Sequence, residues 1–219
     1  MILTEENYYS KEADMEYLSV SQYKKFVGCL GRTGCEAKAM AELRGEWEDE
    51  KSTALLQGSY VDAHFEGTLD IFRAQHPELF TKTGTLKAEY KKAENVINRI
   101  ERDNYFMAHM AGQSQVIMTA ELFGVKWKIK MDKYFPDKLI VDLKVMESFG
   151  KRFYSADFGN MDFIRNWGYD LQGAVYQKVV EINTGKKLPF KIAAASKEEY
   201  PDIEIIQAVS YTHLRAHET

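Results

Sequence analysis

Residues 125–145 constrain the fold of this chain more than any other segment. Hydrophobic residues occupy every second position in two adjacent runs, namely Val125, Trp127, Ile129 and Met131, and then Leu139, Val141, Leu143 and Val145. A period of two is typical of β-strands with one face packed on a core. Pro136 and Asp137 lie between the runs and indicate a turn. The segment therefore predicts a β-hairpin.

The length of the turn decides which polar residues of the hairpin face each other. With a three-residue loop, 136–138, Phe135 faces Leu139, and Asp132 lies directly opposite Asp142. Directly opposed residues have Cβ atoms about 4.5–5.5 Å apart, so these carboxylates could share a metal ion. A two-residue loop would place them on opposite faces of the sheet. The sequence leaves both loop lengths open.

The part of the chain before the hairpin has helical features. Ser19-Val-Ser-Gln22 has the form of a capping box and predicts a helix from Val20 to a stop near residues 28–34. Further helices are predicted at residues 35–48, from Thr53 through His64 toward Arg73, and over residues 87–115. After the hairpin, we expect a helix over residues 166–182, closed by Gly185, and strands at residues 188–195 and 203–206. This order predicts an α/β fold.

Length and composition suit one globular domain. The chain has 219 residues, of which 45% are hydrophobic, enough for one sizeable core. A net charge of −4 argues against a generally basic nucleic-acid-binding surface and leaves only local basic patches. Cys29 and Cys35 are too few for a four-cysteine metal site. Without a signal peptide or an 18-residue apolar stretch, we expect a cytoplasmic protein that does not contact membranes.

Asp132, Asp142 and Lys144 carry the chemistry that the sequence suggests. If the three-residue loop holds, both acids and the lysine share one face of the hairpin. Hydrolysis of a phosphodiester needs these types, because carboxylates hold a hard cation and a lysine can orient the nucleophile. Asp-x-Lys alone is common on charged strand faces. Here it lies in the apolar run Ile-Val-Asp-Leu-Lys-Val, where unpaired charges are costly.

These residues resemble the core of the PD-(D/E)XK nuclease superfamily. Within it, the chain is similar to the exonuclease VIII (RecE-like) group of phage and prophage nucleases, which is related to the RecB-type nuclease domain. Four pieces carry the resemblance: residues 17–26, Gly58-Ser-Tyr-Val-Asp-Ala-His64, residues 124–144, and Gln172-Gly-Ala-Val-Tyr176. It spans roughly residues 8–207. It implies a restriction-endonuclease-like fold, with a central mixed β-sheet flanked by helices and an N-terminal helical portion.

The resemblance also implies roles for individual residues. His64, Asp132, Asp142 and the carbonyl of Leu143 would bind the metal ion, and Lys144 would be the catalytic lysine. Gln172 and Tyr176 match a Gln-x-x-x-Tyr motif beside the active site and join the catalytic group. Taken singly, His64 also suits an ordinary helix histidine, and Gln172 with Tyr176 suits ordinary helix surface.

Other residues are weaker candidates. Lys126, Lys128 and Lys130 share the face of Asp132 and could contact a phosphate backbone, or form a solvated strand face. Tyr8 and Tyr9 could stack on bases or pack in the core. Glu66 and Glu121 are possible additional acids, although solvated helix charge also explains them.

The C-terminal residues 209–219 resemble the translation of a transposon-type sequencing adapter. We therefore expect residues 1–208 to form a single nuclease-like domain that is truncated at its C-terminus, and residues 209–219 to be an artefact. On this interpretation, the spacing of His213 and His217 carries no metal-binding meaning.

The expected function is that of a Mg²⁺-dependent DNA exonuclease, with Mn²⁺ able to substitute, acting on double-stranded DNA ends in phage-type recombination. The resemblance implies a single-strand annealing protein as partner, a homo-oligomer, and phage or prophage origin in a bacterial host. Two alternatives stay open: a non-hydrolytic DNA-binding or assembly protein that keeps the fold, and an endonuclease of the same superfamily.

Overall fold

The computed structural model describes residues 1–50 and 52–207. Within these ranges, the chain forms a five-stranded mixed β-sheet with helices on both faces, which confirms the predicted α/β architecture. The adapter-like segment 209–219, with His213 and His217, lies outside the described residues.

Within the described part of the chain, seven helices precede the main sheet. They are α1 (Lys11–Glu16), α2 (Val20–Val27), α3 (Glu36–Arg44), α4 (Thr53–Glu66), α5 (Leu69–Gln75), α6 (Ala88–Glu101) and α7 (Asn104–Met110). A small hairpin, β1 (Gly28–Cys29) and β2 (Arg32–Thr33), separates α2 from α3, and a 3₁₀ turn, Pro77–Leu79, follows α5. None of the helices in residues 1–50 and 52–207 is both long and apolar enough to cross a membrane.

The remaining elements build and connect the sheet. In chain order they are β3 (Gln113–Leu122), β4 (Val125–Phe135), β5 (Leu139–Met146), the hairpin β6 (Phe153–Ser155) and β7 (Gly159–Met161), α8 (Phe163–Trp167), α9 (Tyr169–Thr184), β8 (Phe190–Ser196) and β9 (Ile203–Gln207). The sheet order is β3-β4-β5-β8-β9. β5 and β8 are parallel, because α9 returns the chain to the same end of the sheet, and the other neighbours are antiparallel.

Both faces of β5 are covered by helices. Ile140 lies in the hydrophobic cluster that the sheet forms with α9, whereas Val141 lies in the cluster formed with α4 and α6. Successive residues of a strand point to opposite faces. Asp142 and Lys144 therefore lie on the α9 face, in a strand whose sequence is otherwise that of a buried element.

The hairpin that the alternating pattern predicts is confirmed, and so is its register. Phe135 lies opposite Leu139, so the loop has the three residues 136–138. Asp137 adopts a left-handed conformation with φ of +63°, and the N–H of Lys138 closes the turn on the carbonyl of Phe135 at 3.0 Å. The two-residue loop is excluded.

The N-terminal helices follow the predicted capping signals. The hydroxyl of Ser19 accepts a hydrogen bond from the N–H of Gln22, whose side chain accepts one from the N–H of Ser19, as a capping box requires. α2 ends at Val27, as expected. The helix predicted to run toward Arg73 ends earlier, because Gly67 takes a left-handed conformation and closes α4.

The single long helix predicted over residues 87–115 is wrong. α6 ends at Glu101, and the side chain of Asp103 caps α7 by accepting a hydrogen bond from the N–H of Phe106. β3 then begins at Gln113, and three alternate residues of this strand pack against the core of the sheet: Val116, Met118 and Ala120. Their period of two is visible in the sequence, but it directly follows a strong helical pattern.

The C-terminal elements agree with the prediction except at one boundary. α9 ends before Gly185, and β8 and β9 lie close to the predicted strands. The helix expected from residue 166 is divided into α8 and α9, because Gly168 adopts a left-handed conformation with φ of +62° between them.

Candidate active site

A cleft of about 560 Å³ opens where β4 and β5 diverge, between α2, α4 and α9. The pairing of β4 with β5 runs from Phe135 and Leu139 to Lys133 and Val141. Farther along β4, the backbone of residues 126 and 128 instead hydrogen-bonds to Leu18 of the N-terminal segment. The divergence of the two strands makes room for polar side chains inside the sheet.

Asp132 lies at the point where β4 leaves β5. Its Oδ2 accepts a hydrogen bond of 2.8 Å from the backbone N–H of Leu143. On its other side, the β3–β4 register places Gln115 opposite Asp132, and Gln115 has a positive φ of +55°. Backbone irregularities of this kind often re-aim a side chain near functional sites. A side-chain bond thus holds Asp132 where the regular ladder ends.

Asp142 and Lys144 extend from alternate positions of β5. The hairpin register, continued by one residue, places Asp142 opposite Asp132. Asp142 is only 2% exposed. Its Oδ2 lies 2.5 Å from Nζ of Lys144, and its Oδ1 accepts a hydrogen bond of 2.7 Å from the side-chain amide of Gln172 on α9. The structure therefore brings the predicted acid pair and lysine into one cleft.

Helix α4 contributes Asp62, which the sequence analysis did not select. Asp62 and Glu66 are four residues apart, so they share one face of the helix, and both line the cleft. Burial, followed by the charge of Asp132, raises the pKa of Asp62 well above its usual value. The sequence contains a signal for Asp62. In the segment Gly58–His64 this acid stands between the apolar residues Val61 and Ala63, where a charged side chain is unexpected.

The charges in the cleft influence one another strongly. Burial and the carboxylate of Asp142 raise the pKa of Asp132 to about 7, against a smaller opposing effect of Lys144. Burial alone would lower the pKa of Lys144, but Asp142 and Asp132 reverse this effect, so its pKa is raised. Lys144 therefore stays positively charged at neutral pH. The carboxyl groups of Asp132 and Asp142 repel each other when both are ionised.

His64, which the resemblance assigned as a metal ligand, does not reach the cleft. His64 is two residues from Asp62, a rotation of about 200° around the helix. Its Nε2 lies 2.9 Å from Oε1 of Glu101 on α6. The assignment of His64 is therefore corrected by the structure: α4 presents Asp62 to the cleft and turns His64 toward α6.

Gln172 and Tyr176 lie on one face of α9 and line the cleft, as their spacing predicts. Gln172 contacts Asp142 directly. The hydroxyl of Tyr176 donates a hydrogen bond of 3.1 Å to the backbone carbonyl of Lys130, and burial raises the pKa of this hydroxyl well above its ordinary value. Tyr176 thus acts as a neutral donor that fixes β4, and Gln172 fixes the carboxylate.

The backbone carbonyl of Leu143 points toward Asp132. The N–H and C=O of one residue in a strand project to the same side, and the N–H of Leu143 donates to Asp132. The ammonium of Lys144 lies 3.3 Å from this carbonyl oxygen. The carbonyl is thus directed to the same space as the carboxylates.

The row of lysines on β4 does not form a continuous binding surface, contrary to one of the two interpretations above. Lys128 is 1% exposed and donates bonds of 2.6 Å to Asp14 and to the carbonyl of Tyr8. Lys126 pairs with Glu16 at 3.0 Å. Lys128 and Lys130 both line the cleft, but the ammonium of Lys128 is already bound, and Lys126 lies outside the cleft.

The remaining candidates divide between core and rim. Tyr8 is buried, whereas Tyr9 is 72% exposed at the rim, with Nζ of Lys130 4.5 Å from its ring centre. Glu66 lines the cleft and accepts a hydrogen bond from Gln115. Glu121 is exposed on β3, opposite Lys126, and does not line the cleft.

The donor set fits a hard divalent cation. Among the residues that the structure describes, no three His, Cys, Asp or Glu side chains are already spaced as a complete metal site. The carboxyl groups of Asp62, Asp132 and Asp142 nevertheless line one cleft, together with those of Glu66 and Asp14. Carboxylate oxygen is the preferred ligand of Mg²⁺. Within the described part of the chain, the buried Oδ2 of Asp142 has no hydrogen-bond partner of normal geometry, although the ammonium of Lys144 lies close to it. Burial and, to a smaller extent, mutual repulsion raise the pKa values of Asp62 and Asp132, and a cation there would stabilise their ionised forms.

Comparisons with known proteins agree with this geometry. The family described as a PDDEXK-like domain of unknown function (DUF3799) matches residues 19–218. A crystal structure of a protein from Eubacterium rectale, which carries the provisional designation of exonuclease, is 61% identical with a TM-score of 0.93; the match covers 95% of this chain and 79% of that chain. No curated protein matches this chain significantly in sequence. The chain therefore belongs to the PDDEXK-like family DUF3799, within the PD-(D/E)XK nucleases.

Proposed function

We propose that this protein is a Mg²⁺-dependent exonuclease that hydrolyses phosphodiester bonds at double-stranded DNA ends, with Mn²⁺ able to replace Mg²⁺. The observation that carries the proposal is the convergence of Asp132, Asp142 and Lys144 in one cleft. Lys144 lies 2.5 Å from Asp142, and Asp132 is held beside them by the backbone of Leu143. Both carboxylates and the lysine are needed for metal-assisted phosphodiester hydrolysis.

Four groups of this chain would hold the metal ion. They are the carboxylates of Asp62, Asp132 and Asp142 and the carbonyl of Leu143. A divalent ion bound there would activate a water molecule as nucleophile and neutralise charge on the phosphate. Gln172 would keep Asp142 in one orientation through its 2.7 Å hydrogen bond, as the groups behind metal ligands commonly do.

Lys144 would act as a cation and not as a base. Its pKa is raised by Asp142 and Asp132, so it keeps its proton at neutral pH. A protonated ammonium can donate hydrogen bonds to the attacking water or to a phosphate oxygen and so stabilise charge that develops there. The role of Lys144 is therefore to orient the nucleophile and to stabilise the phosphate.

The finer parts of the proposal have separate support. The designation of the Eubacterium rectale protein supports exonuclease activity. The resemblance to the RecE-like group supports a role in phage-type recombination, with an annealing protein as partner, a homo-oligomer, and the cytoplasm of a bacterial host as location. These are proposals for this chain, alongside the nuclease assignment of its family.

The test compares a linear duplex with a covalently closed circle of the same sequence. We expect Mg²⁺-dependent release of nucleotides from the linear duplex, loss of this release in Asp142→Asn, and no cutting of the circle. Asp137→Asn, on the same hairpin but outside the cleft, is the matched control and should retain activity. Cutting of the circle would favour an endonuclease, and DNA binding without hydrolysis by folded wild-type protein would favour the assembly protein.

A further inference from the structure

A second cavity of about 360 Å³ lies beside the active-site cleft, next to the β1–β2 hairpin. Three residues of α2, namely Ser21, Lys24 and Lys25, line both cavities. The two spaces are therefore neighbours along α2. On the far side, the second cavity is bounded by Arg32 and by Trp167 of α8.

The second cavity has an excess of positive charge, in a chain whose net charge is −4. Its charged lining residues are two acids, Glu42 and Asp49, and four bases, Lys24, Lys25, Arg32 and Lys38. Lys25 pairs with Glu42, and Lys38 pairs with Asp49 at 2.8 Å. Among the described residues, Lys24 and Arg32 form no ion pair with a carboxylate. These two cations are available to an anionic ligand.

The side chain of Arg32 is exposed, and its N–H groups make no hydrogen bond to the residues that the structure describes. The guanidinium lies over the ring of Trp167, with Cζ 4.7 Å from the ring centre, and Arg32 is exposed. A stacked guanidinium keeps its N–H groups around its edge, where they can bind two oxygens of one phosphate. The Trp167 ring in turn contacts Phe153 edge-on. Arg32 therefore has a fixed aromatic support and a free polar edge.

Lys24 connects this cavity to the active site. Its ammonium donates a hydrogen bond of 2.9 Å to the carbonyl of Trp167, so Lys24 and Arg32 are held by the same residue. Burial and the nearby charge of Lys144 lower the pKa of Lys24. An anion between Lys24 and Arg32 would offset this repulsion between cations.

The wall that carries Arg32 is tightly packed. A Cβ atom at Gly31 would lie 2.1 Å from Oδ1 of Asn166, so only glycine allows this approach of the hairpin to α8. Sγ of Cys29 donates a hydrogen bond of 3.2 Å to the carbonyl of Asn166. A Cβ at Gly168 would lie 3.1 Å from Cβ of Cys29. The hairpin is thus fixed against α8, and the position of Arg32 is set before any ligand binds.

We infer that the second cavity is a DNA-binding groove, with Lys24 and Arg32 as its cationic contacts. It binds the phosphate backbone of a DNA strand adjacent to the phosphate being hydrolysed. The inference rests on the proposed function, because the active-site cleft defines which phosphate is cut. Contacts to phosphate give affinity without sequence preference. The groove therefore binds a stretch of one strand beyond the cleavage point.

The test measures DNA binding separately from hydrolysis. Binding of a labelled 30-nucleotide duplex and single strand is followed by fluorescence anisotropy in EDTA over a series of salt concentrations. We expect Arg32→Ala to weaken binding about threefold to tenfold and to lower the salt dependence by about one phosphate contact. Arg32→Lys should recover part of the loss. Arg102→Ala, an exposed arginine that lines neither cavity, is the control.

The two proposals fail in different ways. Unchanged DNA affinity and salt dependence in Arg32→Ala would overturn the proposal that the groove binds DNA. An equal loss of DNA affinity in Arg102→Ala would overturn it as well. If wild-type protein binds DNA through Arg32 but does not hydrolyse it with Mg²⁺, the proposed function fails and the groove stands. If Arg32→Ala hydrolyses DNA with the KM and kcat of the wild type, the groove fails and the nuclease stands.

Discussion

The carboxylate of Asp132 accepts a 2.8 Å hydrogen bond from the backbone N–H of Leu143 at the position where β4 and β5 diverge. A side chain here takes the place of a backbone partner, so the strands can separate without leaving a buried N–H unpaired. The same bond directs the Leu143 carbonyl and the Asp132 carboxylate to one space. One hydrogen bond therefore both ends the pairing of β4 with β5 and positions two of the groups that would hold the metal ion.

Mutations of Asp62 and His64 in α4 should have different effects on metal affinity and hydrolysis. Asp62→Asn removes a carboxylate from the cleft, and we expect metal affinity and hydrolysis to fall by about tenfold or more. His64→Gln changes a side chain that contacts Glu101 on α6, and activity should stay within about twofold. Calorimetric Mg²⁺ titration and DNA hydrolysis measure both effects. Retained activity in Asp62→Asn with loss in His64→Gln would restore the assignment made from the sequence.

The stability of the metal-free protein should decrease as the pH rises through neutrality. The pKa of Asp132 is raised from 3.8 to about 7 in the folded state, so the folded protein binds this proton more tightly than the unfolded chain. The resulting stabilisation is complete below about pH 4 and is lost as the pH rises through about 7. Asp62, whose pKa is also raised, acts in the same direction.

Thermal unfolding in EDTA between about pH 5 and pH 8 measures this effect, because ordinary carboxyl groups are already ionised there. Tm should fall across the window, and Asp132→Asn should flatten the dependence, since its side chain is always neutral. Added Mg²⁺ should raise Tm most at the alkaline end. A Tm that increases with pH, in both wild type and Asp132→Asn, would contradict the assigned burial of these carboxyl groups.

Gln172 should act on the reaction through Asp142. Gln172→Leu removes the hydrogen bond to Oδ1 of Asp142, and we expect metal affinity to fall about tenfold to a hundredfold. Gln177→Leu is the matched control on α9, because its side chain donates to the carbonyl of Leu188 outside the cleft. The control should lose about 1 kcal/mol of stability and keep its metal affinity. Equal metal affinities in both variants would show that Gln172 has only a structural role.

Lys128 should be a stability residue and not a DNA contact. Lys128→Met leaves Asp14 and the carbonyl of Tyr8 without their buried partner, and we expect a loss of about 2–3 kcal/mol in the free energy of unfolding. Lys126→Met, which breaks a more exposed pair with Glu16, should reduce the free energy of unfolding much less, because solvent screens this pair. Urea unfolding of both variants provides the comparison, and similar small losses would place Lys128 at the surface.

The parts of the fold that could be predicted are those encoded by local patterns. The alternation around Trp127 and Leu143, the capping box at Ser19 and the stop at Gly185 each specify their element without distant contacts. The sequence does not predict β3, because the alternation that begins at Val116 follows a helical pattern without a Pro or Gly–Asn turn. Its identity as a strand depends on pairing with β4, a contact that no local pattern contains.

The candidate site also combines residues that local sequence patterns place with residues that only tertiary packing places. Asp132, Asp142 and Lys144 could be placed together, because a single hairpin carries them and one loop length sets their register. Asp62 reaches them from a helix about 70 residues earlier, and which face of α4 is turned to the sheet depends on tertiary packing. The burial of Lys128 likewise depends on the N-terminal segment that crosses β4. Sequence spacing could not supply these two relationships.

The central claim is that Asp132 and Asp142 hold a catalytic divalent metal ion. The most direct measurement is a calorimetric titration of Mg²⁺ or Mn²⁺ into wild type, Asp132→Asn, Asp142→Asn and the control Asp137→Asn, paired with hydrolysis of linear duplex DNA by the same samples. We predict metal binding and hydrolysis in the wild type and in Asp137→Asn, and loss of both in the two cleft variants. Undiminished metal binding and hydrolysis in folded Asp132→Asn and Asp142→Asn would contradict the account.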